Sequence, residues 1–117
     1  MYRYSAELVR VIDGDTIIAI IDLGFSTWVK KTIRFYGIDA PESRTLDLEE
    51  KAKGIAATVR LVEILNLNNN KFIVKSYDVD KFGRCLGELF VETLGETSVQ
   101  QTLINEGHYV PYFGGAR

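Results

Sequence analysis

The stretch LEEKAKGIAATVRLVEILN, residues 48–66, breaks the rhythm of the chain around it. Ala52, Ile55, Ala56, Val59 and Val62 recur at helical spacing, with Glu49, Glu50, Lys53, Arg60 and Glu63 between them. That pattern predicts an amphipathic helix whose apolar face carries those five side chains. Upstream, residues 2–12 are rich in Val, Tyr and Ile and end at Asp13-Gly14-Asp15, a hairpin signal, before TIIAII (residues 16–21) resumes strand character. After a turn around Leu23-Gly24-Phe25, residues 28–36 interleave Val29, Ile33 and Phe35 with Lys30, Thr32 and Arg34. Three consecutive strands follow, a meander. Residues 37–47 contain Pro41, lack periodicity and read as a loop.

Downstream of the helix, Asn68-Asn69-Asn70 is a turn, and residues 71–77 and 84–91 read as a fourth and fifth strand around a turn at 78–83. Ser98 with Gln101 three residues on starts a second, short helix that Gly107 stops. The class is therefore α+β, mainly β. A helix between the third and fourth strands of a five-stranded antiparallel set, with another helix at the end, is the layout of an OB-fold-like barrel.

The composition agrees. The chain has 117 residues, 46% hydrophobic and 26% charged, and at that length roughly two thirds of the unfolded surface can be hidden, enough for a single domain over residues 1–117. A lone Cys85 excludes an internal disulfide and a multi-cysteine zinc site. The net charge of -2 means that any nucleic-acid binding must come from a local basic cluster. No stretch approaches a membrane span, and the first ten residues hold Arg3, Glu7 and Arg10 where a secretory leader would be apolar.

Four carboxylates fall in loops or at strand ends: Asp13 and Asp15 in the first hairpin turn, Asp39 and Glu42 after the third strand. Hard divalent cations need several oxygen ligands, and two loops meeting at one end of a barrel can supply them. The plainer reading is that aspartates favour turns. Arg34, five residues before Asp39, and Arg84, directly after Gly83, either clamp a phosphoryl group beside such a metal or form ordinary salt bridges.

Taken together, the blocks Val11-Ile12-Asp13-Gly14-Asp15-Thr16, then Ile33-Arg34-Phe35-Tyr36-Gly37-Ile38-Asp39-Ala40-Pro41-Glu42, then Asp80-Lys81-Phe82-Gly83-Arg84 resemble the staphylococcal nuclease (thermonuclease) family in residue type, internal spacing and order. That resemblance implies an OB-like barrel and calcium-dependent hydrolysis of DNA or RNA with little sequence preference, water attacking phosphorus to leave 3′-phosphate ends. It implies that Asp15, Asp39 and the backbone carbonyl of Ala40 bind calcium, with Asp13 supporting. Glu42 acts on the attacking water, as general base or as its positioner, and Arg34 and Arg84 grip the scissile phosphate.

Phe82 stands where the family often has Tyr, which removes a hydroxyl, while Lys81 still supplies charge to the substrate. The tail residues Tyr109, Tyr112 and Phe113 either stack on a base of the substrate or cover the barrel end. His108 is expected in an exposed or capping role and Cys85 as a small core residue. The partner implied is DNA or RNA, single-stranded or as loosened duplex, bound by a monomer. The rival is an OB-fold module that binds nucleic acid or protein without cutting. A cytoplasmic or host-cell intracellular location is expected, and a viral or mobile-element origin is one way to account for it.

Overall fold

Alternation along TIIAIIDLG sets the interior of the molecule: Ile17, Ala19 and Ile21 are buried, whereas Ile20 and Asp22 face out. The computed structural model describes residues 2–39, 47–79 and 83–111. Its strands are β1 (Tyr2–Asp13), β2 (Thr16–Gly24), β3 (Thr27–Phe35), β4 (Ile38–Asp39), β5 (Lys71–Val79), β6 (Cys85–Phe90) and β7 (Val110–Pro111). Helix α1 (Leu48–Leu67) lies between β4 and β5, and α2 (Val99–Asn105) between β6 and β7.

Five strands close into a barrel in the order β1-β2-β3-β6-β5. β1 pairs with β5 along its first half and with β2 along its second. The all-antiparallel set expected from element order is corrected at one seam, since directions cannot alternate around a ring with an odd number of strands. β3 and β6 are the parallel pair, with Arg34 opposite Leu86 and Phe35 opposite Gly87. A second correction concerns residues 37–47: Ile38 and Asp39 leave the expected loop to pair with Pro111 and Val110 in a two-stranded sheet.

The helix forms where its period predicts, but with a different face inward. Its buried residues are Gly54, Ala57, Leu61, Ile64 and Leu65, while Ile55 and Val59 are about half exposed, at 48% and 53%. The small residues let the backbone come close to what it packs on, and the leucines fill the core; the β-branched side chains that suggested the other face are turned outward. Asp47 caps the helix, its Oδ1 accepting from the amides of Glu49 (3.0 Å) and Glu50 (3.2 Å). The expected cap of α2 is also found, Ser98 Oγ accepting from Gln101 N at 3.0 Å, and Gly107 ends that segment at φ 84°.

Two residues bind α2 to the barrel. Gln100 is 2% exposed; its Nε2 donates to Gly87 O (2.8 Å) and its Oε1 accepts from Leu89 N (2.9 Å), so both polar atoms are satisfied inside the core. Gly87 itself is required by space, because a Cβ there would lie 2.7 Å from Val74 Cγ2. Arg60 of α1 and Glu106 after α2 form a forked pair at 2.7 and 2.9 Å, and this hydrogen bonding holds the Glu106 carboxyl below its ordinary range.

The β2–β3 turn is made by Phe25 and Ser26, both left-handed at φ 54° and 57°, and the Phe25 ring is fully exposed. An L-residue in that conformation costs about 1–2 kcal/mol, and two-residue hairpin turns favour Asn-Gly instead. The double variant Phe25→Asn, Ser26→Gly is therefore expected to gain about 1 kcal/mol and a few degrees in Tm. Thermal unfolding checks this, and an unchanged or lower Tm would refute it.

Candidate active site

The hairpin signal Asp13-Gly14-Asp15 forms the β1–β2 turn, and the strand that returns beside it brings Arg34 opposite Thr16. Alternation points Arg34 away from the interior, because its neighbours Ile33 and Phe35 are buried. The guanidinium lies 3.4 Å from Asp15 Oδ2, with each side chain 18% exposed. Its Nη1 donates to Phe35 O at 2.8 Å, and Nη1 and Nη2 both reach Ile38 O at 3.4 Å. The turn from β3 into β4 thus holds the fork by its own carbonyls. The backbone is tied across the same place by Phe35 N donating to Asp15 O at 2.8 Å.

Asp15 Oδ1 accepts from Thr16 Oγ1 at 3.0 Å, and Asp13 Oδ1 accepts from Gly14 N at 2.8 Å, so both carboxylates are oriented locally. Tyr109 closes the site from behind. It is 3% exposed, meets Phe35 edge-on at 6.3 Å between ring centroids, and donates its hydroxyl to Gly14 O across 95 residues of sequence. Burial, helped by the Asp15 charge, pushes that phenol well above its ordinary value, so it stays a neutral donor. This corrects one of its two expected roles: a ring enclosed in this way has no face for a nucleobase, and Tyr109 is the cover of the barrel end.

Asp13, Asp15 and Arg34 are brought together as the sequence suggests, and the backbone of Asp39 runs alongside in β4. Arg84 is half-buried just before β6, two residues ahead of the parallel partner of Arg34. Ala40, Glu42, Lys81, Phe82, Tyr112 and Phe113 lie outside the described residues. His108 is partly exposed beside Glu106 at 3.9 Å, as expected of it, and Cys85 is half-buried against the core.

Among the described residues no three His, Cys, Asp or Glu side chains converge. The donors at the turn are the carboxylates of Asp13 and Asp15, an oxygen-only set that fits a hard divalent cation rather than zinc or copper. Sequence reasoning missed Gln100 and Gly87, which fix the β6 segment that follows Arg84. A buried glutamine carries no periodic signal, and the need for glycine is visible only once three strands enclose it.

The family model described as staphylococcal nuclease homologue matches residues 32–114, more than two thirds of the chain; the Asp13-Gly14-Asp15 turn lies upstream of that match. Protein ParB of Escherichia coli is 34% identical over 85 residues, 73% of this chain and 41% of its own length. A probable staphylococcal-like nuclease, CAN1, of Oryza sativa subsp. japonica is 34% identical over 86 residues, 71% of this chain and 23% of its own. The chain thus spans less than half the length of these curated relatives. No helix of the described residues is long and apolar enough to cross a membrane. With the barrel, the arginine–aspartate pair and this match in agreement, the chain belongs to the staphylococcal nuclease homologue family.

Proposed function

We propose that this domain is a calcium-dependent phosphodiesterase that hydrolyses DNA and RNA with low sequence preference and leaves 3′-phosphate ends. The observation that carries the reading is the Arg34 fork held by two backbone carbonyls 3.4 Å from Asp15, a fixed cation beside a carboxylate able to hold a metal ion. Asp15, Asp39 and the Ala40 carbonyl would hold the ion, with Asp13 supporting. When bound, it supplies a positive charge that polarises the phosphoryl group.

Arg34 and Arg84 are positioned to offset the charge that develops on the phosphoryl oxygens, in an orientation fixed before substrate arrives. Glu42 takes the proton of the attacking water or orients it; the new bond is from water oxygen to phosphorus, and the bond to the 5′-oxygen breaks, that oxygen gaining a proton from solvent. Lys81 adds charge to the substrate path, and Tyr112 and Phe113 offer rings to a base.

Cleavage of a labelled single-stranded DNA in calcium, in magnesium and in chelator tests the reading, with wild type beside Glu42→Gln. Cutting in calcium that chelator and the substitution both abolish, with 3′-phosphate products, is the expected result. Tight binding without cutting in any metal would establish instead a module that recognises nucleic acid without hydrolysing it.

A further inference from the structure

Arg3 of β1 and Lys75 of β5 are direct cross-strand partners, an arrangement in which like charges repel. Among the described residues neither forms an ion pair with a carboxylate. Each cation instead lies over an aromatic ring, the Arg3 guanidinium 5.0 Å from the Phe90 centroid and Lys75 Nζ 5.3 Å from that of Tyr77. Glu88, opposite Lys75 on β6, accepts the Tyr77 hydroxyl at 2.8 Å. Two adjacent positive charges are thus held in place by rings, at a cost to the sheet that nothing in the fold offsets.

These residues continue the wall on which the arginine–aspartate pair stands. Lys75 and Tyr77 alternate with buried Val74, and Glu88 and Phe90 with buried Gly87 and Leu89, so their side chains face outward as Arg34 does. Tyr36 directly follows β3, donates its amide to Gly87 O and stacks on Tyr77 at 4.0 Å with ring planes 4° apart. The row from Arg34 through Tyr36, Tyr77 and Lys75 to Arg3 therefore crosses β3, β6, β5 and β1, three strand spacings or roughly 14 Å.

We propose that this row is the path of the substrate strand beyond the scissile bond, with Lys75 and Arg3 as its phosphate contacts and the aromatic rings as the surface its bases cross. The ligand class is single-stranded nucleic acid. The proposal rests on the nuclease reading for what happens at Arg34, but the path itself is a binding surface and is tested by binding.

The test compares the full chain with the double variant Arg3→Gln, Lys75→Gln and with the charge-conserving Arg3→Lys, Lys75→Arg. Affinity for a fluorescent oligodeoxynucleotide is measured in chelator across a range of salt concentrations. Hydrolysis of a dinucleotide and of the oligonucleotide is then measured in calcium. Two lost phosphate contacts should make the slope of log K against log salt shallower by about 1.4 for a single strand. The expected loss of oligonucleotide affinity is about tenfold, with kcat and KM on the dinucleotide unchanged and binding restored in the charge-conserving variant. Unfolding curves should coincide, because a repulsive pair has been removed. An unchanged slope and affinity would overturn the path, as would an equal loss on the dinucleotide. A wild type that binds with the steeper slope but never cuts would defeat the nuclease reading and leave the path standing.

Discussion

Arg34→Lys is expected to lower kcat for phosphodiester hydrolysis by about 100-fold, and Arg34→Ala by up to about 1,000-fold, while both proteins remain folded. The magnitudes are those of losing one preorganised donor to charge that develops in the transition state. A lysine keeps the charge but not the planar fork, and here the fork is what the structure holds: Nη1 is fixed by Phe35 O and Ile38 O, with Nη2 toward Asp15. An ammonium cannot satisfy the turn carbonyls and face a phosphate together, so some of its orientation is lost even where its charge remains.

The loss should fall on kcat, because the interaction strengthens as phosphoryl charge grows; a change confined to KM would reduce Arg34 to a ground-state binding residue. Removing Arg34 also leaves Asp15 without its cationic neighbour in a site where each side chain is only 18% exposed. A destabilisation of about 1–2 kcal/mol is therefore expected beside the kinetic effect. Rates and thermal unfolding of the same samples separate the two.

The parts of this molecule that were legible in sequence are those governed by local rules. Alternation marked all five barrel strands, and the caps Ser98 and Gly107 placed α2 because capping depends on a few residues in a row. The parallel β3–β6 seam needed only the parity of a closed five-strand ring, an argument available from the element order once closure is assumed. The face of α1 was different in kind. Ile55 and Val59 match helical spacing as well as Leu61 and Leu65 do, and which set turns inward is decided by partners distant in sequence, so the period alone leaves the phase open.

The same division runs through the site. Asp13, Asp15 and Arg34 could be read as one constellation because their motifs are short and ordered. That Arg34 is held by Ile38 O depended on a β4–β7 pair whose two strands, at two residues each, are too short to have a pattern. The cross-strand pairing of Arg3 with Lys75 was hidden for a related reason, since neither the barrel register nor a ring beneath each charge is written in spacing.

Tyr109 is where the largest loss of stability is expected. Tyr109→Ala should cost about 3–5 kcal/mol, the range for deleting a large ring from a core, since the side chain is 3% exposed and packs on Phe35. Tyr109→Phe keeps the ring and removes only the hydroxyl, leaving Gly14 O without its donor from the tail, for about 1–3 kcal/mol. Gly14 sits between Asp13 and Asp15, so loosening it should also lower kcat, whereas a variant that only weakened the core would leave the rate of the folded fraction unchanged. The phenol adds a dependence on pH with a definite sign. Burial raises its folded value above the unfolded one near 10, so its contribution is fully present below pH 10 and is lost as pH rises past it. Tyr77, pushed up to about 12 by burial and its bond to Glu88, acts in the same direction over pH 10–12. Wild type should therefore lose stability steeply above pH 10, and Tyr109→Phe, starting lower, should fall less steeply because one of the two phenols is gone. Denaturant unfolding between pH 8 and 11 reads both slopes; parallel curves would mean that the Tyr109 hydroxyl does not hold the turn that carries the two aspartates.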